Sequence, residues 1–340
     1  MRLGAWFDVK EKSAVMEARR RTRAVALDLG LDASDAERAA IVTTEVATNM
    51  VRHAGGGRLL VSPAAWAGPR TLAIVAIDKG NGIENIDRMM TDGVSTGGSA
   101  GIGLGAIERQ SDDLDILTRA GEGTIITAQI RARGEAYTAR PLDVAVLTLN
   151  HPGQAVCGDG WSVRPRGSAT DILVCDGLGH GPEAMRAAEG AMAAFERGEG
   201  SPQVLLARVS EAITDTRGAV AMAAAVDNEG ETLTYAGVGN ISGLVCAVRT
   251  PIRRLASRDG RLGAPQRSSV HEETVAFGAG DVLILHSDGV RTLRNLADRP
   301  ELMFRRPLTI AAAIIGEYER GSDDACIMVA KRAAQKTAGD

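Results

Sequence analysis

The run Ile172-Leu173-Val174-Cys175-Asp176-Gly177-Leu178-Gly179-His180-Gly181 sets an apolar strand against a carboxylate and a glycine-rich turn. A buried strand that ends in this way presents its carboxylate at the sheet rim. Three more acidic stations accompany it, two of them against apolar runs: Cys157-Gly158-Asp159-Gly160, the run Val282-Leu283-Ile284-Leu285-His286-Ser287 ending in Asp288-Gly289, and Asp323-Asp324 opening Ala325-Cys326-Ile327-Met328-Val329. Taken singly, each Asp-Gly reads as a turn. Repeated at strand ends, the carboxylates would repel one another unless a cation lay between them. Oxygen ligands favour magnesium or manganese, and four aspartates suffice for two such ions sharing a bridging carboxylate. Such a pair can hold a phosphate and activate a water.

Working outward, 340 residues with 44% hydrophobic content allow two ordinary folded domains. The net charge of -4 and the absence of a basic block argue against nucleic acid as a partner. A protein partner or small ligand is expected instead. No apolar stretch reaches the roughly 20 residues that cross a bilayer, and the N-terminus lacks the basic-then-apolar order of a secretion signal. A cytoplasmic location with no membrane partner is the expectation. Cys157, Cys175, Cys246 and Cys326 form no C-x-x-C pair and read as small buried hydrophobes.

Helical spacing is expected over residues 13–30 and 34–53, with Ser34 and Asp35 as the cap of the second helix. Strands are expected at 58–62 and 71–78, a helix near 103–110, and strands near 114–119 and 124–131. This order describes helices on one face of a mixed sheet. The segment 134–141 is polar and irregular and divides a first domain, 1–133, from a second, 142–332, followed by a tail, 333–340. The second domain reads as many strands with helices at 183–197, 202–214 and 308–320, compatible with two sheets and outer helices.

In the first domain Glu45, Asn49 and Arg52 project from nearly one helical face, with His53 at its edge. A solvated face has the same spacing. Asp78-Lys79-Gly80-Asn81-Gly82 then follows a strand, and Gly97-Gly98-Ser99-Ala100-Gly101-Ile102-Gly103-Leu104-Gly105 leads into a helix. Glycine amides aimed by a helix N-terminus form an anion cradle suited to phosphates. Lys79 reads as a solvated loop charge.

These residues resemble the GHKL ATPase superfamily over most of 5–132. Glu45 to Asn49 matches E-x-x-x-N, Asp78 to Gly82 matches D-x-G-x-G, Gly97 to Gly105 supplies the lid glycines and Gly123-Thr124 the closing pair. The short lid and the run Asp92-Gly93-Val94-Ser95-Thr96-Gly97-Gly98 are most similar to the serine kinases of bacterial sigma-factor regulation. The resemblance implies that ATP binds with Mg2+ held by Asn49, that Asp78 receives the adenine amino group, and that Thr124 supports the adenine side. Gly80, Gly82, Gly97, Gly98, Gly101, Gly103 and Gly105 would cradle the nucleotide. Glu45 would be the base that orients a substrate hydroxyl.

The second domain resembles the metal-dependent type 2C protein phosphatases of the SpoIIE and RsbX branch over about 142–331. The resemblance implies that Asp176 bridges two Mn2+ or Mg2+ ions, that Asp159 and the Gly177 carbonyl serve one, and that Asp288 with Asp323 serve the other. Asp324 is the alternative to Asp323. The implied substrate is a phosphoserine or phosphothreonine ester. Cys326 stands where this branch usually has threonine. His180, beside the bridging loop, could protonate a leaving group or hold its turn, and His286 is expected to bury away from the metals. Together the likenesses imply an α+β protein: a GHKL α/β sandwich followed by an αββα sandwich. They imply a kinase-like domain fused to a phosphatase, both directed at a regulatory protein such as a STAS-domain anti-sigma antagonist or stressosome component. The alternative keeps the ATP pocket as a nucleotide sensor or partner trap without phosphotransfer.

Overall fold

The computed structural model describes residues 5–64, 66–68, 70–86, 103–134, 140–247, 251–264 and 270–333. Gly97, Gly98 and Gly101 lie outside the described residues. The chain divides into two compact units, Met1–Thr138 and Ala139–Asp340.

The first unit contains strand β1 (Ala5–Val9), helices α1 (Lys12–Asp28) and α2 (Ala33–His53), strands β2 (Gly57–Pro63) and β3 (Thr71–Asp78), helix α3 (Gly103–Gln110), and strands β4 (Asp113–Arg119) and β5 (Gly123–Arg131). The sheet runs β1-β2-β3-β5-β4. Leu59 and Val61 of β2, Leu72, Ile74 and Ala76 of β3, and Ile126, Ala128 and Ile130 of β5 join one core cluster. Their period of two places them on a single sheet face. Val15 and Ala18 of α1, Ala39, Val42, Val46 and Met50 of α2, and Leu104 and Ile107 of α3 fill the same cluster, so the helices cover that face.

Three details correct the sequence reading. The ladders pair antiparallel throughout the described sheet, where a mixed sheet was expected, because short turns join β2 to β3 and β4 to β5. Strand β1 escaped the periodicity because it is short. The cap of α2 is Asp32, whose side chain accepts from the Asp35 amide, not Ser34 or Asp35. Asp35 is instead buried and paired with Arg38 at 2.9 Å.

The second unit stacks two five-stranded sheets, β13-β10-β9-β8-β7 and β12-β11-β14-β15-β6. The first comprises β7 (Asp159–Arg166), β8 (Ala169–Gly177), β9 (Ala219–Asp227), β10 (Thr232–Val238) and β13 (Glu273–Ala276). The second comprises β6 (Leu142–Leu149), β11 (Ser242–Cys246), β12 (Arg253–Leu255), β14 (Val282–His286) and β15 (Ala325–Arg332). Helices α4 (Pro182–Arg197) and α5 (Pro202–Ala212) pack on the first sheet, through Ala188, Ala191, Phe195, Leu205 and Val209 against Leu173, Ala221 and Ala223. Helix α6 (Pro307–Tyr318) packs on β6 and β15. The result is the expected αββα sandwich.

Small residues bring α4 unusually near the strand ends. Ala184, Ala187, Ala188 and Ala191 form its buried stripe at helical spacing. They meet three glycines: a Cβ at Gly177 would stand 2.1 Å from the Ala184 carbonyl oxygen, one at Gly158 2.8 Å from the Ala184 Cβ, and one at Gly160 3.2 Å from the Ala188 Cβ. The helix start is thereby held against the rim where Asp159 and Asp176 emerge. Gly177→Ala is expected to force α4 away and cost about 2–3 kcal/mol, read as a lowered melting temperature.

Candidate active sites

Asp159 opens β7, Asp176 falls at the end of β8, and the two are direct partners in the antiparallel register. Paired residues project to the same face with Cβ atoms about 5 Å apart, where two like charges oppose folding. Asp288 and Gly289 follow β14, and Asp323 and Asp324 precede β15, the neighbouring strand in the other sheet. Ser287 ties the sheets together: its hydroxyl donates to Asp159 Oδ2 at 2.6 Å and accepts from the Cys326 amide at 2.9 Å.

Electrostatically the five carboxylates act as one group. Burial, then Asp288, Asp323 and Asp324, pushes the Asp176 carboxyl up to about 7. Burial, then Asp176, holds Asp159 well above the usual carboxylate range. Burial, then Asp323, raises Asp288, whose Oδ2 accepts from Asn240 Nδ2 at 2.8 Å. Two oxygens in this cluster, Asp159 Oδ1 and Asp324 Oδ2, are buried with no hydrogen-bond partner. Orphaned acceptors of this kind are costly unless a cation or proton meets them. The donor set therefore fits hard divalent ions. Among the described residues, no three His, Cys, Asp or Glu side chains close onto a common metal position as they stand, so the fit rests on convergence, burial and the orphaned oxygens.

Asp324 has a larger part than its position in the sequence suggests. It is buried, and its Oδ1 accepts from the His151 amide at 2.7 Å, whereas Asp323 is half-buried and accepts from the Asp324 amide at 2.9 Å. Gly289 is obligatory beside it, since a Cβ there would stand 1.9 Å from the Asp324 carbonyl oxygen. His180 stacks on His151, with ring centroids 4.3 Å apart. His286 is buried and turned toward the Ser287 carbonyl oxygen at 2.8 Å. The departure at Cys326 leaves the strand contact intact, because its amide and carbonyl, not its thiol, meet Ser287. All four cysteines are free and buried, and burial pushes the Cys157 and Cys175 thiols up. Ser287 was legible within Ser-Asp-Gly; His151 and Asn240 carried no signal, because neither sits in a repeated pattern.

In the first unit, β3 ends at Asp78, whose Oδ1 accepts from the Gly80 amide at 2.9 Å and the Thr124 amide at 3.1 Å. Burial raises its carboxyl, and those two amides and His53 pull the other way. A Cβ at Gly123 would stand 2.1 Å from the Asp78 carbonyl oxygen, and one at Gly82, where φ is +75°, 2.3 Å from that of Arg119. Thr118 completes the knot: its hydroxyl accepts from the Ile83 amide at 2.8 Å and lies 3.2 Å from the Thr124 hydroxyl. Thr118 was not foreseen, since a threonine in a strand carries no motif.

Helix α2 borders the same loops. A Cβ at Gly80 would stand 2.7 Å from the Ala54 Cβ, just past the helix end, and one at Gly103 would stand 3.6 Å from Asn49 Oδ1 and 3.7 Å from Glu45 Oε2. Glu45 and Asn49 are half-buried and thus adjoin the start of α3, while Arg52, His53 and Lys79 are exposed. Gly105 is buried within α3. An Asp anchored between backbone amides, a glycine turn, a helix start and a carboxylate-amide pair constitute a nucleotide-binding arrangement.

The two folds define a class: a nucleotide-binding kinase-like domain joined to a metal-dependent phosphatase domain. Residues 9–130 match the histidine kinase-like ATPase domain and residues 166–333 match the stage II sporulation protein E family, SpoIIE. The serine/threonine-protein kinase RsbT of Bacillus subtilis is 38% identical over 114 residues, covering 34% of this chain and 86% of the relative. The phosphoserine phosphatase RsbX of the same organism is 26% identical over 151 residues, covering 44% of this chain and 75% of the relative. A chain from a solved structure described as the bacterial stressosome, a modular system adapted to control secondary messenger signalling, is 30% identical with a TM-score of 0.51, over 56% of this chain and all of that one. The crystal structure of RsbX with magnesium shares the fold, with a TM-score of 0.50 and 21% identity over 57% of this chain and 96% of that one. In its first half the chain belongs to the RsbT-type kinases of the histidine kinase-like ATPase fold, and its second half is similar to the SpoIIE and RsbX phosphatases. Among the described residues, no helix is long and apolar enough to cross a membrane.

Proposed function

We propose that this protein sets the phosphorylation state of a STAS-domain anti-sigma antagonist or stressosome protein, adding phosphate through residues 1–133 and removing it through residues 142–332, in the cytoplasm. The observation that carries the reading is the register pairing of Asp159 with Asp176, with Asp288 and Asp323 close enough to raise the Asp176 carboxyl. Asp176, Asp159, the Gly177 carbonyl, Asp288 and Asp323 would hold two Mn2+ or Mg2+ ions. When bound, such ions lower the pKa of water and neutralise a phosphate ester. The chain itself orients the carboxylates: Ser287 fixes one Asp159 oxygen, Asn240 fixes one Asp288 oxygen, and the start of α4 seals the rim.

In the first unit Asp78, held by two amides, would accept the adenine amino group, with Thr124 beside it. The glycines at 80, 82, 97, 98, 101, 103 and 105 would surround the phosphates, and Asn49 would hold Mg2+. Glu45, beside Gly103 at the start of α3, would draw the proton from a substrate serine or threonine hydroxyl.

Purified protein with labelled ATP and a STAS-domain partner tests the first activity. Glu45→Ala is expected to keep ATP binding within about threefold and to lower transfer by at least about a hundredfold, the usual scale of a lost general base. ATP bound tightly by wild-type protein with no transfer to any such partner would leave this domain a sensor. Manganese-dependent release of phosphate from the phosphorylated partner tests the second activity.

A further inference from the structure

The turn Thr216-Arg217-Gly218 borders the loop that follows Asp176, on the β9 side of β8. Ala219 pairs with Gly177 in the β8–β9 ladder, and the Leu178 amide donates to the Gly218 carbonyl oxygen at 3.0 Å, which carries the register past the strand end. Arg217 thereby faces Gly179 within the bridging loop, and a Cβ at Gly179 would stand 3.1 Å from Arg217 Nη1. The turn is firmly built. Thr216 Oγ accepts from the Gly218 amide at 3.0 Å and donates to the Ile213 carbonyl oxygen at 2.7 Å. Gly218, with φ of +89°, leaves no room for a side chain, since its Cβ would stand 2.4 Å from the Leu262 carbonyl oxygen.

Other cations around this rim are engaged. Arg320 donates to the Asp288 carbonyl oxygen at 2.6 Å, and Arg186 pairs with Asp215 at 2.5 Å. Arg217 is exposed and has no hydrogen-bond or ion-pair partner among the described residues. The charge balance gives such a group a task. Two divalent ions would bring four positive charges to the five carboxylates of this cluster, leaving a phosphomonoester dianion no net attraction to the loaded centre. A guanidinium supplies that attraction and matches two phosphoryl oxygens with parallel N–H donors.

We infer that Arg217 is a substrate-binding residue, which grips the non-bridging phosphoryl oxygens of the phosphoester while the carboxylate centre holds the reacting side. This rests on the phosphatase reading. Glycine at 179, where φ is +94°, keeps a Cβ from standing 3.1 Å from the guanidinium.

The test compares full-length wild type, Arg217→Ala, Arg217→Lys and Asp176→Asn with Mn2+, on a phosphoserine peptide and with inorganic phosphate as competitor. Arg217→Ala is expected to raise KM and weaken phosphate inhibition by about tenfold or more, with kcat changed less than about threefold. Arg217→Lys should recover part of the affinity, because it restores the charge without the fork. Mn2+ affinity and melting temperature should match wild type. Unchanged KM and phosphate inhibition in Arg217→Ala, beside a wild type whose turnover Asp176→Asn removes, would overturn the assignment alone. Loss of Mn2+ affinity or melting temperature in Arg217→Ala would also overturn it, by showing a structural role. Should wild type turn over nothing, the phosphatase reading falls, and calorimetry with inorganic phosphate still decides Arg217: equal binding by wild type and Arg217→Ala refutes the grip, and weakened binding supports it.

Discussion

Asp176→Asn is expected to lower manganese-dependent phosphate release by on the order of a thousandfold, the scale on which active sites lose rate when one charge at the reacting centre is removed. Asparagine keeps the size of the side chain and its neighbours, so the loss reports charge. The same substitution should have the opposite effect on stability. In chelator, wild-type protein carries Asp176 against Asp288, Asp323 and Asp324, with burial as the larger penalty. The folded carboxyl sits at about 7 against 3.8 in an unconstrained aspartate. The stabilising protonated form is complete below pH 4 or so, and the unfolded chain binds fewer protons than the fold between those two values. Stability of the chelated wild type is therefore expected to fall as pH rises from about 4 to 7. Asp176→Asn should lose much of that slope and melt roughly 5 °C higher near neutral pH in chelator. With saturating Mn2+ the order should reverse, since only wild type gains full binding energy. Thermal melts across pH, with and without Mn2+, check both signs. A variant that melts below wild type in chelator at neutral pH would show that the carboxylates do not strain the fold.

Asp78→Ala is expected to weaken ATP binding by about a hundredfold or more. A buried carboxylate lost from a site leaves its donors unpaired, at about 1–3 kcal/mol each. Here those donors are the amides of Gly80 and Thr124, and the adenine contact would go with them. Asp78→Asn retains an acceptor oxygen for one or both amides and should fold closer to wild type, while its amide group opposes a donor on the ligand. Calorimetry with ATP separates the cases: weak binding in both variants assigns the loss to ligand recognition, and weak binding in alanine alone assigns it to the loop. Wild-type affinity in both would remove Asp78 from the site.

The legible parts of this molecule were those where chemistry and periodicity coincide. Acidic turns at strand ends marked Asp159, Asp176, Asp288 and Asp323 as candidates, and at the first three a glycine adjoins the carboxylate; Gly177 and Gly289 show why, with carbonyl oxygens inside the space a methyl would fill. Helix α2 was legible from its spacing, though not from its cap, since Asp32, Ser34 and Asp35 are all competent capping residues. Strand β1 has too few residues for alternation to speak. Strand direction in the first sheet depends on which distant segments pair, and local pattern does not encode that. Asp323 was preferred, with Asp324 as its alternative; the burial of Asp324 and its bond to the His151 amide arise from a contact 173 residues away. Thr118, Asn240 and Arg217 are ordinary surface or strand residues in sequence, made notable only by what the fold sets next to them.

Anomalous scattering from crystals grown with Mn2+ tests the central claim most directly. Two manganese peaks are expected in the second unit, with Asp176 shared between them, Asp159 on one and Asp288 with Asp323 on the other. A single peak elsewhere, or saturating Mn2+ with no peak within coordination distance of Asp176, would contradict the account.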